Sequence, residues 1–198
     1  MNSFRIAVRV PPEILNMICS HLATEDILLA SQVCHHWRAA LISSPSLWTE
    51  FPCRHVPWTI VGLERCKSMP IQLVVDQELS SVALEKVLIH GNKIVSLTIR
   101  HRLDEFPLSN QLFTFSRRSL ERLHICSKKV CEWESQGQTT RKLWQDLPSL
   151  RKLFIRRYPT EIEQLSAPNL AHLALEQTKY GKSPTVRSIL DMLPAAPF

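Results

Sequence analysis

Residues 10–48 read VPPEILNMICSHLATEDILLASQVCHHWRAALISSPSLW, and this stretch decides the N-terminal fold. Its apolar residues recur at helical spacing in three short segments separated by breaks. A domain of about forty residues lies at the lower limit of independent stability, so it cannot bury every large apolar side chain. The apolar side chains left unburied favour a docking module that binds a partner surface, and the alternative is an ordinary three-helix core.

Each segment carries its own start or stop signal. Pro11–Pro12 suits the first turn of a helix, where a missing N–H costs nothing, and Thr24 is predicted to cap a second helix. Ser44–Pro45 ends the third helix. The apolar stripes of the first and third helices consist of Ile14, Leu15, Ile18 and Leu22, and of Val33, Cys34, Trp37 and Leu41.

The same stretch resembles the F-box, a family whose usual elements are L-P-x-E-[IL]-L, I-x-x-x-L, D-[LI]-L, V-C-x-x-W and L-W, in that order. The matching elements are Val10-Pro11-Pro12-Glu13-Ile14-Leu15, Ile18 to Leu22, Asp26-Ile27-Leu28, Val33-Cys34-His35-His36-Trp37 and Leu47-Trp48. Val10 departs from the pattern, because Leu is usual there, and the missing methylene weakens one contact.

The resemblance implies binding to a Skp-type adaptor, which links an F-box protein to a cullin-RING ubiquitin ligase. Such a protein performs no chemistry. It is the substrate-recognition subunit of an SCF-type ligase and selects proteins for ubiquitin conjugation and degradation. The residues expected to meet the adaptor are Val10, Pro11, Ile14, Leu15, Ile18, Leu22, Leu28, Val33 and Trp37.

The composition is typical of a soluble globular protein, with 198 residues, 44% hydrophobic and 21% charged. No apolar run approaches the length of a membrane span, and Arg9 interrupts the apolar N-terminus, so neither a membrane segment nor a signal peptide is expected. The six cysteines show no regular framework and are expected to be reduced thiols. The expected location is the cytoplasm, the nucleus or both.

Beyond the helices, four segments of the chain share the spacing L-x-x-L-x-L, in which Ile may replace Leu. A fifth segment keeps the alternating half of the pattern, and the middle apolar positions lie 24, 26, 30 and 20 residues apart. This spacing resembles irregular leucine-rich repeats, in which a helix or loop returns the chain after each short strand. The alternative is unrelated amphipathic strands in an α+β domain. In chain order the segments are Ile71, Leu73, Val75; Ile94, Leu97, Ile99; Leu120, Leu123, Ile125; Leu150, Leu153, Ile155; and Leu170, Leu173, Leu175.

The segments between the apolar repeats are predicted to form helices and a loop. A connecting helix is predicted from about Pro57 to Lys67, with Trp58 on its apolar face. Returning helices are predicted for residues 79–89 and 183–193. The polar run from Ser127 to Arg141 is predicted to be a surface loop or a disordered insertion.

Together these patterns predict an α+β protein, in which an N-terminal three-helix F-box precedes a short, irregular leucine-rich-repeat-like α/β solenoid. The expected units are residues 7–52 for the F-box, 53–69 for the connecting helix and linker, and 70–198 for the repeat-like domain. Residues 194–198 stop where another apolar strand should begin. The repeat-like domain is therefore expected to be incomplete at the C-terminus, with its last layer uncovered.

In such a repeat, the side chains between the apolar positions of each strand line one open face. Residues 100–157 contain 13 Lys or Arg and 6 Asp or Glu, a difference of +7 that exceeds the +6 of the whole chain. This charge favours acidic or phosphorylated ligands, and the alternative is ordinary solvated charge. The residues predicted to face the substrate are Arg100, Arg122, His124, Lys152, Phe154, Arg156 and His172.

Catalysis and metal binding are not expected. The chain has 4 glycines and lacks both the G-x-x-x-x-G-K-[ST] and G-x-S-x-G motifs. Cys34-His35-His36 and Cys53-Arg54-His55 lack a second pair at ligand spacing, so no catalytic residue, metal or cofactor is predicted. The alternative function is a basic nucleic-acid-binding protein or a general protein-interaction scaffold, because pairs such as Arg117-Arg118 would contact phosphates, although no reader motif accompanies them.

Overall fold

The computed structural model describes residues 10–53, 56–76, 80–100, 118–126, 147–157 and 167–176. Three short helices come first, α1 (Pro12–Cys19), α2 (Thr24–Ala30) and α3 (His35–Ile42), and a 3-10 helix follows at Pro45–Trp48. α1 begins at Pro12 as predicted, because its first turn needs no N–H donor there. Within the described residues, no helix is both long and apolar enough to cross a bilayer.

Six strands then form one parallel sheet whose order follows the sequence. They are β1 (Glu50–Pro52), β2 (Ile71–Val75), β3 (Ile94–Ile99), β4 (Arg122–Cys126), β5 (Lys152–Arg156) and β6 (His172–Glu176). Helices α4 (Val56–Arg65) and α5 (Ser81–Ile89) lie between the first three strands and return the chain, as parallel neighbours require. The described chain therefore combines N-terminal helices with a parallel sheet.

The apolar positions of the strands are in register across the sheet. Leu97, Leu123 and Leu153 are cross-strand partners, and Ile99, Ile125 and Ile155 form the next row. All six are at most 2% exposed, whereas their counterparts in β6, Leu173 and Leu175, are only partly buried. Strands β2 to β6 thus bury one face because their side chains alternate, and β6 is the least covered of these five.

The turns that precede β4, β5 and β6 are linked by side-chain hydrogen bonds. The Ser119 hydroxyl donates to the carbonyl of Ile94 over 3.0 Å, and the Ser149 hydroxyl donates to the carbonyl of Arg118 over 2.6 Å. The Asn169 amide donates to the carbonyl of Pro148, also over 2.6 Å. In each case the donor lies directly before a buried Leu and binds a main-chain carbonyl at or shortly before the start of the preceding strand. Each bond provides a hydrogen-bond donor to one main-chain carbonyl.

The helical segment and the sheet share one hydrophobic core. A single cluster of buried residues runs from Cys19 in α1 to Leu170 before β6. Trp48 lies within it, donates from Nε1 to the Leu41 carbonyl over 2.9 Å, and carries the Arg65 guanidinium 4.4 Å from its ring centre. β1 follows Trp48 directly and pairs with β2, so the sheet begins where the helices end.

Two helix predictions need correction. Ala23 is the N-cap of α2, and the Thr24 hydroxyl donates instead to the Glu50 carbonyl, so this side chain joins α2 to β1. α4 buries Thr59 and Leu63, while Trp58 remains 38% exposed. The buried side of α4 therefore contains Thr59 and Leu63, which are one turn apart, and not Trp58.

Helix α5 begins at Ser81, two residues later than predicted. The Ser80 hydroxyl accepts a hydrogen bond from the Ala83 N–H over 3.2 Å, which makes Ser80 the N-cap. Ala83 and Val87 are buried, and Val82 is exposed. The predicted loop at 127–141, the predicted helix at 183–193 and the final residues 194–198 lie outside the described residues.

Candidate functional site

The apolar residues of α1 form two neighbouring stripes. Leu15 and Cys19 are fully buried, whereas Ile14 and Ile18, which follow the same four-residue spacing, are 42% and 49% exposed. Four-residue spacing keeps each pair on one side of a helix, and the one-residue offset turns the two pairs about 100° apart. α1 therefore packs inward with one stripe and presents the other to solvent.

Large exposed apolar side chains are concentrated in this part of the molecule. Eleven such side chains occur in the described residues, and seven of them lie in or beside the first three helices. We call these seven the N-terminal apolar surface: Ile14, Met17, Ile18, Leu22, Leu29, Val33 and Ile42. Scattered exposed apolar residues are normal, but such a concentration in a short segment indicates a partner surface.

The residues predicted to meet an adaptor fall into three groups. Ile14, Ile18, Leu22 and Val33 belong to the N-terminal apolar surface, and Pro11 is also exposed. Val10, Leu28 and Trp37 are half-buried, the last two against the core. The structure places Leu15 in the interior, at 0% exposure, so it cannot contact a partner while the helices remain folded.

Three exposed residues of this surface, Met17, Leu29 and Ile42, were not among the predicted contacts. All three are apolar, and all three fall outside the stripes that their helices bury. A search for apolar residues left over after assignment of the buried stripe would have identified them.

The entry of the chain into α1 is held by α3. The Nε2–H of His36 donates to the carbonyl of Val10 over 2.8 Å. Arg38 also donates from Nε to the Ser31 carbonyl over 3.1 Å, which ties α3 to the turn after α2. His36 therefore has a structural role, and its position next to His35 does not make a metal pair.

A cavity of about 420 Å³ lies where the turn between α1 and α2 meets the ends of β2 and β3. Its lining includes Leu22, Ile27 and Arg100. Three lining hydroxyls already donate to main-chain carbonyls, from Ser20 to Met17, from Thr24 to Glu50 and from Thr49 to Ser46. Only the Thr24 bond joins a helix to the sheet, and the Ser20 and Thr49 bonds are local to their own turns.

The polar face of the sheet consists of three rows, because the strands are in register. The basic row contains Arg122, Lys152 and His172, preceded on β3 by Ser96. The aromatic row contains Thr98, His124, Phe154 and Ala174. The mixed row contains Cys126, Arg156 and Glu176, and Asp76 and Arg100 extend it because each follows directly after the paired Val75 and Ile99. All seven predicted substrate-facing residues therefore lie on one face.

The charges of these rows differ. The basic row carries Arg122 and Lys152 on adjacent strands and no acidic residue. In the mixed row, Nε of Arg156 lies 3.5 Å from Oε2 of Glu176. Two Arg and two acidic residues occupy the mixed row, so its formal charge is zero, and the excess positive charge of this face lies in the basic row.

His124 and Phe154 form the centre of this face. Their rings pack edge to face, with centroids 4.3 Å apart and planes at 85°. Burial and the positive charge of Arg100 lower the pKa of His124, and the charge of Glu176 opposes them. The imidazole is therefore mainly neutral at pH 7, and the aromatic row is an uncharged strip between two charged rows.

The lowered pKa of His124 predicts that stability decreases in mild acid. In the unfolded chain the imidazole has its ordinary pKa of about 6.5, so the unfolded state binds the proton first as the pH falls. The part of the free energy of unfolding that the neutral imidazole contributes above that pH is lost progressively below it. We expect the melting temperature of His124→Phe to fall less between pH 7.5 and pH 5.5 than that of the parent.

The Phe variant keeps an aromatic ring beside Phe154, so packing changes little. Some pH dependence should remain, because burial and Lys93 also lower the pKa of His90. Identical losses in parent and variant over this range would contradict the role of His124.

The buried cysteines are not poised for chemistry. Burial raises the pKa of Cys53 to about 12, and it also raises the pKa of Cys19 and of Cys66. These thiols stay protonated at neutral pH, and a protonated thiol is neither a good nucleophile nor a metal ligand. In the described ranges, no three His, Cys, Asp or Glu side chains are grouped as they would be around a metal ion.

The comparison with known families gives a match. The F-box-like family model matches residues 7–54, which include α1, α2, α3, the 3-10 helix and the whole N-terminal apolar surface. The resemblance noted in the sequence is confirmed for this span, and the match does not extend into the strands from β2 onward. The comparison with curated proteins finds no match.

Proposed function

We propose, from the premise that residues 7–54 are an F-box-like domain, that this chain is the substrate-recognition subunit of an SCF-type ubiquitin ligase. F-box domains typically bind Skp-type adaptors, and the adaptor joins them to a cullin-RING ligase. In this proposal the chain performs no chemistry. One surface docks the adaptor, and a second surface holds the protein that is to be modified.

The N-terminal apolar surface is the observation that carries the proposal. Seven large apolar side chains remain exposed on a domain of known docking type. Moving one half-exposed side chain of this size into a dry interface contributes on the order of 1 kcal/mol. Several such side chains acting together suffice for a stable complex, because a few buried anchors carry most of the energy of an interface.

The sheet supplies the second surface in this proposal. Three features support a leucine-rich-repeat-like domain over residues 70–198. The parallel strands are in register, their Leu and Ile residues form buried rows, and similar side-chain hydrogen bonds recur at Ser119, Ser149 and Asn169. The basic row favours a target segment that carries acidic or phosphorylated groups. Capture of partners from an extract by the chain bound to its adaptor, with and without phosphatase treatment, tests this part of the proposal.

We expect the double change Arg122→Glu and Lys152→Glu to reduce target capture at least about tenfold, because two attractive charges become repulsive ones. Arg156 is a weaker choice than Lys152, since Glu176 already lies beside it. The measurement is the amount of target recovered, compared with the amount of adaptor recovered in the same sample.

The matched control reverses two exposed lysines away from this face, Lys67 and Lys86, and changes the net charge equally. Target capture by the control should equal that of the parent. Equal loss in both double variants would mean that net charge alone attracts the target, and unchanged capture in both would remove the basic row from the proposal.

Nucleic-acid binding is the competing function for the same basic row. It requires that affinity for a random DNA duplex fall steeply with salt, by about one unit of log–log slope for each phosphate contacted. A salt titration with such a duplex separates the two functions, because a protein target held by one anionic group gives a much shallower slope.

A further inference from the structure

We infer that the polar sheet face recognises an extended segment in which an acidic or phosphorylated residue and an apolar residue stand two positions apart. This inference rests on the proposed function and specifies the target that the face would hold. It follows from the order of the three rows, from their charges and from the sheet geometry.

The spacing between the rows sets the spacing in the ligand. Residues on one face of a strand repeat every second position, so the basic row and the aromatic row lie about 7 Å apart. An extended peptide has the same distance between side chains i and i+2. A segment that lies along the strands can therefore place one side chain on each row without bending.

Within the described residues, the basic row contains no acidic side chain that could pair with its cations. Arg122 and Lys152 are direct cross-strand partners, and both are exposed. Like charges directly opposite each other on neighbouring strands are destabilising. A carboxylate or phosphate between these strands, which lie about 4.8 Å apart, would contact both cations and remove their repulsion.

The aromatic row provides an apolar contact surface beside the basic row. Phe154 and His124 are half-buried, and the next position on β6 is the small, exposed Ala174. A Leu- or Phe-sized side chain placed over Ala174 would pack against the edge of Phe154. Lys152 and Phe154 belong to the same strand, two residues apart, so the anion and the apolar group meet a single strand in succession.

The mixed row directs the anion to one end of the face. Its two Arg and two acidic residues sum to zero charge, and Arg156 lies beside Glu176. An anion therefore gains more at the basic row, at the N-terminal ends of the strands, than at the mixed row. The uncharged aromatic row then receives the apolar residue.

The test uses the full chain bound to its adaptor and fluorescent ten-residue Gly/Ser peptides. Each peptide carries one phosphoserine and one Leu, separated by zero, one or two residues, in both orders. We expect one order with a single intervening residue to bind at least about tenfold more tightly than the other spacings and than peptides that lack either group.

Two variants assign the two contacts. Phe154→Ala should remove the advantage of the Leu-containing peptide while the dependence on phosphoserine remains. Lys152→Gln should do the reverse. Glu substituted for phosphoserine should bind more weakly in the same order of spacings, because a carboxylate carries less charge than a phosphate.

Binding that does not depend on spacing, or an equal effect of Phe154→Ala on peptides with and without Leu, would overturn this inference. Either result leaves the proposed function standing if the adaptor complex forms and target capture still requires Arg122 and Lys152. Failure of the chain to bind the adaptor would instead overturn the proposed function.

Discussion

Ile18→Asp is expected to abolish adaptor binding while the fold persists. Ile18 is 49% exposed in the outer stripe of α1, so Asp is solvated in the free protein and costs little stability. In the complex, the carboxylate would be buried without a partner, which costs several kcal/mol and corresponds to a loss of at least about a hundredfold in affinity. Titration calorimetry with a purified Skp-type adaptor measures this loss, and circular dichroism verifies the helix content.

Val82→Asp is the matched control for Ile18→Asp. Val82 is 52% exposed on α5, outside the F-box-like domain, and receives the same charge. It should bind the adaptor as the parent does. If Ile18→Asp also binds normally, the outer stripe of α1 is not the docking surface.

Substitutions at Leu15 test the folding of the helices and not the contact with the adaptor. Because its side chain is fully buried, Leu15→Ala should destabilise the helices by about 2–5 kcal/mol and weaken adaptor binding only through the unfolded fraction. Substitution of Leu15 by Asp would unfold the domain, and the resulting loss of binding would say nothing about the interface.

Trp48→Ala is expected to destabilise the helices and the sheet together, by about 3–5 kcal/mol. The indole is 1% exposed, its N–H is bound to the Leu41 carbonyl, and Arg65 lies over its ring. Removing it leaves a cavity in the core that α3, α4 and β1 surround. Urea denaturation followed by circular dichroism should show one transition, shifted to lower urea.

Trp58→Ala is the control, because the same side chain is removed from a position that is 38% exposed. Its loss should be clearly smaller. Trp48→Phe should fall between the parent and Trp48→Ala, since it keeps a ring beneath Arg65 but gives up the bond to Leu41. Two separate transitions in the parent, of which only the first moves in Trp48→Ala, would contradict a shared core.

The strands of the sheet were the most predictable part of the fold. Leu123 and Ile125, like their counterparts at 153 and 155, stand two positions apart, and that period of two is a property of the chain itself. Buried strands form at these positions. The hydrogen bonds of Ser149 and Asn169 were harder to predict from the sequence. A hydroxyl or amide before a Leu has many possible partners until the neighbouring turn is in place.

For the N-terminal apolar surface, the sequence by itself determined the three helices, their apolar character and the resemblance to the F-box over the span that the family model matches. Local spacing carries that information, because a helix repeats every 3.6 residues wherever it lies. Only the tertiary structure decided which residues remain outside. Leu15 and Ile18 belong to one stripe in the sequence, and packing against the rest of the domain buries the first and exposes the second.

For the polar face, the sequence determined which side chains alternate outward, and the parallel register decided which of them become neighbours. Arg156 counted as one more positive charge until the register placed it beside Glu176, whereas Arg122 became the partner of Lys152. Pairing between strands depends on contacts that are 20 to 30 residues apart in the chain. No local pattern encodes such contacts, so the charge balance of each row is a property of the folded sheet alone.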